Sequence, residues 1–135
     1  MALEIEYQEG QTPLDEEEKA GLKIDTITTR EELDEFEQLT IQKAIEWTLK
    51  NRWSANKIFT EDFILALHAK MYGEVWTWAG TFRKSNKNIG VLFYQVPTEL
   101  RLLLDDALYW YENETYPPEE IAIRFKHRIV AIHCI

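Results

Sequence analysis

The sequence predicts a mainly α protein, a helical bundle with one short β-hairpin flap. Three observations predict it. Apolar residues recur at helical spacing in four separate stretches, each opened by a cap residue or a proline. Between the second and third of these lies "EVWTWAGTFRKSNKNIGVLFYQVP", rich in Gly, Asn, aromatic and β-branched residues and without helical period. Finally, 45% hydrophobic and 29% charged residues is the composition of a folded domain, and 135 residues suffice for one core but not for two ordinary ones.

In chain order, residues 1–11 are expected to form a loose arm, followed by a single domain over 12–135. "TPLDEEEKAGL" has a turn at Thr12–Pro13, a cap at Asp15, acids favoured by the dipole in a first turn, and Gly21 as a stop, which describes a short helix. "TTREELDEFEQLTIQKAIEWTLKN" opens on Thr28 or Thr29 with Glu31 and Glu32 behind, close to a capping box. Leu33, Phe36, Thr40, Ala44 and Trp47 mark one face of this long helix. "TEDFILALHAKMYG" begins at Thr60 and ends at Gly73, with Phe63, Leu67 and Met71 on one side. After the flap, Pro97 starts a helix over 97–114 whose apolar face is Leu100, Leu103, Leu104, Ala107, Leu108 and Tyr111. "YPP" breaks it, and Pro118 restarts a last helix that runs to about His133, with Ile121, Phe125, Ile129 and Ile132 in register.

Charge narrows the function. With 24 acidic against 15 basic residues the net charge is −9, so the chain repels phosphate backbones and anionic lipid. Neither nucleic acid nor a membrane surface is an expected partner. One cysteine excludes an internal disulfide, and no Cys/His spacing resembles a zinc site. The amino terminus lacks the basic start and apolar run of a signal peptide, and no apolar stretch approaches the roughly 20 residues that cross a bilayer. A soluble cytoplasmic protein is expected.

Several pieces, in this order, resemble a Fic domain. "VWTWAGTFR" (Val75 to Arg83) is similar to the tryptophan-alanine-glycine stretch after that family's first core helix. "NIGVLFYQVP" lies where the family places its flap, and "IRFKHRIVAIH" is similar to the helix that delivers its motif histidine. "TPLDEEEKAGL" and "ITTREELDEFEQ" also resemble the bacterial Fic subgroup called mobile mystery protein B. Of the family's His-x-Phe-x-x-Gly-Asn-Gly-Arg motif only His133 carries over, and Ile135 stands where the family has Phe. In one alignment His133 is the motif histidine; in the other a few more residues would precede it. The first is favoured because Arg128 and Ile132 fall where the helix expects them. The Gly-Asn-Gly-Arg loop and the helices that follow it in the family are missing, so the expectation is a truncated Fic-like bundle lacking its C-terminal helices.

The resemblance implies a protein AMP-transferase, which moves AMP from ATP to a hydroxyl of a target protein. That chemistry needs a base, supplied by His133 as catalytic residue. It needs a cradle of N–H groups for the phosphates, and an arginine with Mg²⁺ to offset charge at the α-phosphate. It also needs the target held in line, which the family does by pairing it with the flap, here Asn88, Ile89, Gly90 and Val91. ATP and Mg²⁺ are thus implied for the intact family, but the cradle lies in the missing motif, so neither is expected to bind these residues and the fragment is expected to be inactive. The alternatives are a non-catalytic protein-binding module, with an antitoxin-like or toxin partner or a target protein docked on the flap, and a fold remnant without function. The apolar residues Ile121, Phe125 and Ile129 are expected to be partly exposed, favouring self-association through the last helix.

Other residues have plainer readings. Trp76 and Trp78 are read as core, with Gly80 allowing a tight turn. Asn88 to Val91 serves equally as an ordinary surface hairpin. His68 reads as structural and His127 as a surface or partly buried histidine. Glu37 is compared with the glutamate of the family's inhibitory helix, but Leu33 replaces the hydroxyl residue and Gln38 the glycine of that pattern. It is read as an exposed helix acid, with inhibition as the lesser alternative.

Overall fold

Side chains that can satisfy the free N–H groups of a first turn decide where these helices begin. A computed structural model describes residues 16–87 and 89–135; the expected arm 1–11, the Asp15 cap and Asn88 lie outside the described residues. The helices are α1 (Glu16–Ala20), α2 (Arg30–Lys50), α3 (Ala55–Ile58), α4 (Glu61–Tyr72), α5 (Val96–Glu112) and α6 (Pro118–Ile132). The Thr29 hydroxyl accepts from the Glu32 N–H at 3.3 Å and donates to the Glu32 carboxylate at 2.9 Å, closing the start of α2. Thr60 does the same for α4, accepting from the Phe63 N–H at 3.2 Å. Proline at the first turn starts α5 and α6, where its missing N–H costs nothing.

The chain folds as two compact units. In the first, residues 16–52 and 65–81, Ile27, Leu33, Val75 and Trp76 are buried together, with Leu22, Ile24, Tyr72, Trp78 and Ala79 packed against them. Leu22 and Trp76 form an isolated antiparallel bridge, flanked by Lys23 N–H to Val75 O at 2.7 Å and Thr77 N–H to Gly21 O at 2.8 Å. The Trp78 indole donates to Glu18 O at 2.9 Å and stacks on Trp76 with centroids 5.0 Å apart. Both tryptophans are therefore packing residues, as their composition suggested. On α2, Leu33, Thr40 and Ala44 are buried, whereas Phe36 is exposed.

The second unit is residues 53–64 and 82–135. Its core is Val96, Leu100, Leu103, Leu104, Ile132 and Cys134, with Phe59, Ile64, Phe82, Val91, Phe125, Ile129 and Ile135 packed around it. α5 and α6 lie against each other here, and Arg128 donates to Asp106 at 2.5 Å across them. That pair is partly solvated and contributes roughly 0–1 kcal/mol; the apolar seam holds the helices together.

Three expectations are corrected. No β-hairpin flap is seen: among the described residues there is no strand, and those between Arg83 and a 3-10 turn, Phe93–Gln95, that leads directly into α5 are irregular. Its donors find partners other than a neighbouring strand. Phe93 N–H donates to the Asn86 side chain at 2.8 Å, Leu92 N–H to the Gln95 side chain at 3.3 Å, and Val91 N–H to Ile132 O at 3.3 Å. Next, Tyr111 is exposed because it falls in the last turn of α5, beyond the seam that buries Leu100 to Ala107. Third, Ile121 is buried at 5% exposure, whereas Phe125 and Ile129 are partly exposed as expected; the large apolar residues that α6 shows most to solvent are Ile123 and Val130, at 69% and 58%. The fold matches the mainly α expectation in its helices and departs from it in the flap.

Candidate functional site

α6 ends at Ile132, and His133 is its C-cap, in the left-handed region with φ 55° and ψ 66°. Its own N–H still bonds Ile129 O at 3.1 Å. A non-glycine residue in this region is held there by its surroundings. The surroundings are Arg83 and Gly90. Arg83 main-chain N–H donates to Cys134 O at 3.0 Å, and its side-chain Nε donates to His133 O at 2.5 Å. Nη1 donates to Ser85 O at 2.8 Å; Nη2 donates to Val91 O and, at 3.3 Å, to Ile132 O. One guanidinium thus takes up the free carbonyls at the end of α6, where a cation is favoured by the dipole, and joins them to the loop.

Gly90 closes the contact from the other side. Its φ is 85°, and a Cβ there would lie 2.7 Å from His133 Cβ, 2.7 Å from Ile132 O and 3.1 Å from Arg83 Nη2. Only a residue without a side chain fits. Of the predicted docking residues the structure therefore brings Gly90 against His133, ties Val91 through its N–H to Ile132 O, leaves Ile89 exposed, and does not describe Asn88. Burial, then the positive charges of Arg83 and Lys87, push the His133 imidazole below its ordinary range. It is neutral at pH 7, the form that accepts a proton. Burial holds the neighbouring Cys134 thiol up at about 11, so it is protonated and inert.

The sequence reading overlooked Arg83 as a site residue. In the sequence Arg83 stands between Phe82 and Lys84 at the start of a polar run, and no local pattern distinguishes it from the lysine beside it. Arg83 is 7% exposed, and its side-chain N–H groups bond main-chain oxygens, so they do not offer a phosphate clamp. Among the described residues no group of three His, Cys, Asp or Glu side chains is placed to hold a metal ion. No described helix is long and apolar enough to cross a membrane.

The other candidates belong to the first unit or to open surface. Glu37 is half-buried rather than an exposed acid: burial raises its pKa, while a hydrogen bond from the Trp76 side chain opposes the rise. Its carboxylate is engaged with the tryptophan-alanine-glycine segment. His127 is exposed. His68 accepts from the Gly80 N–H through Nδ1 at 3.0 Å and packs beside Tyr72 and Trp78, and burial lowers its pKa to about 4. Because the unfolded chain takes up this proton first, at about 6.5, the native state loses stability as pH falls from 6.5 toward 4. Between pH 7 and pH 5 the loss from His68 is about 1.5 kcal/mol, discounted for the part of the ring that water reaches. Urea unfolding at the two pH values measures it. His68→Gln, whose amide oxygen accepts the Gly80 bond without titrating, will show a shallower pH dependence.

No curated protein matches the sequence. The model of the Fic/DOC family matches residues 58–134, which take in the tryptophan-alanine-glycine segment, Arg83, the loop beside it, and α6 through His133. That match spans more than half of the 135 residues, and the chain belongs to the Fic/DOC family.

Proposed function

We propose that this chain carries the histidine and target-docking half of a Fic-type AMP-transfer site, and that residues 1–135 alone do not transfer AMP. The observation that carries the reading is the seating of neutral His133 against Gly90, with Val91 bonded to the preceding Ile132. A base for a target hydroxyl must stand beside the surface on which the target chain is laid, and Gly90 of the loop assigned here to docking lies against the histidine. The same geometry argues against transfer by these residues alone. Transfer requires donors preorganised for the triphosphate, and the arginine in contact with His133 uses its donors on Ser85, Val91, Ile132 and His133 oxygens. Losing one preorganised donor costs about 3 kcal/mol of transition-state stabilisation, and here an entire cradle is required. ATP and Mg²⁺, which the family chemistry uses, do not fit the donors described around His133.

Incubation of the purified chain with α-labelled ATP, Mg²⁺ and candidate target proteins will leave the targets unlabelled, and calorimetry will find no stoichiometric ATP binding. Labelling that disappears in His133→Ala would overturn the inactive reading while supporting the base assignment. A second reading, a non-catalytic protein-binding module for a target or an antitoxin-like partner, is favoured by the exposed Ile89, Leu92, Phe93 and Tyr94 beside the same loop. Saturable binding of a partner that survives His133→Ala and fails when Leu92 and Tyr94 are made Ser would select it.

A further inference from the structure

Arg83 carries a charge at 7% exposure, and among the described residues no carboxylate pairs with it. Such a cation is costly to bury unless every donor is used. Here the compensation is unusual in its placement. The main-chain N–H of Arg83 grips Cys134 O on one side of His133, Nη2 grips Ile132 O on the other, and Nε grips His133 O itself. Its remaining bonds reach Ser85 O and Val91 O in the loop. A glycine at the cap would have ended α6 with less machinery. Lysine has no rigid fork with which to reach several separate carbonyls at fixed angles.

We infer that Arg83 is the positioning residue of this site: by binding the carbonyls of Ile132, His133 and Val91 at once, it sets the left-handed turn at His133 and locks the Gly90–Val91 segment to it. Arg83 does not touch a substrate; it acts through His133 and the loop. The inference deepens the reading of His133 as the base and the loop as the docking segment, and it rests on that reading for its chemical meaning. Its physical content stands on the bonds alone.

The test uses nuclear magnetic resonance on the full chain without nucleotide or target, so its result is independent of whether AMP is transferred. In the wild-type protein the Arg83 Nε–H will exchange with water at least tenfold more slowly than that of exposed Arg101. Arg83→Gln and Arg83→Lys then separate fork from charge. Both variants will speed exchange of the Val91 amide at least tenfold and move the His133 ring resonances. In Arg83→Gln the His133 pKa will rise, because one of the two nearby positive charges is gone and only Lys87 remains. His68 serves as the control and will keep its wild-type titration. If His68 moves together with His133 in both variants, Arg83 has only a general stabilising role and the inference is overturned. It is equally overturned if His133 and Val91 are unchanged, or if the wild-type Arg83 Nε–H exchanges like that of Arg101. Should both variants fail to fold, the wild-type exchange measurement decides by itself.

Discussion

Arg83→Met will lower the unfolding free energy by about 3–5 kcal/mol. Methionine has nearly the volume and reach of the arginine stem, so the change removes donors while leaving the packing close to native. Val91 O and His133 O lose side-chain partners in a poorly solvated place, and Ser85 O loses a bond at a half-buried residue; Ile132 O keeps its bond from the Val91 N–H. A hydrogen bond to a charged group contributes about 1.5–3 kcal/mol, and a buried acceptor left unsatisfied costs about 1–3 kcal/mol. Simple addition of four such bonds overstates the effect, because removing the guanidinium also relieves its own desolvation. The midpoint of urea unfolding should fall with little change in slope. A loss below about 1 kcal/mol would mean that water reaches these carbonyls and that the arginine holds nothing together.

Gly90→Val will cost about 3–4 kcal/mol and will release the loop from His133. Two effects act together. At φ 85° a β-branched side chain is strained by roughly 1–3 kcal/mol. In addition, its Cβ would sit 2.7 Å from both His133 Cβ and Ile132 O, atoms anchored to the main chain and unable to swing aside; overpacking of that kind costs about 1–3 kcal/mol. Moving the loop outward avoids the clash but breaks the Val91 N–H bond to Ile132 O and the arginine bond to Val91 O. Gly90→Ala should lie in between, and Lys84→Ala, at an exposed neighbour, should stay within about 0.5 kcal/mol of wild type. Urea unfolding ranks the series, and Val91 amide exchange reports whether the loop has left.

The helices were legible because each carries its own evidence along the chain. Thr29 with Glu32, Thr60, Pro97 and Pro118 are local start signals, and the Leu100 to Ala107 seam repeats at the helical period. The reading erred where local preference and tertiary partners disagree. Ile89 to Val96 has the aromatic and β-branched composition of a strand, yet its N–H groups were taken by Asn86, Gln95 and Ile132, and its last residues were drawn into the start of α5. A strand requires a second strand, and composition cannot say whether one is in reach. Glu37 looked like any solvated acid on a long helix until the Trp76 side chain met it.

What the sequence determined by itself is therefore the helical class, the starts of the long helices, the Leu100 to Ala107 seam and the family to which the segment ending at His133 belongs, because periodicity, capping and motif order are properties of neighbouring residues. What only the tertiary structure decided is how His133 is held: the left-handed turn, the glycine pressed against its Cβ, and the buried arginine fifty positions earlier that bonds the carbonyls around it. Those contacts join residues far apart in the chain, and hydrogen-bond partners at such separation are fixed by packing rather than by any local pattern.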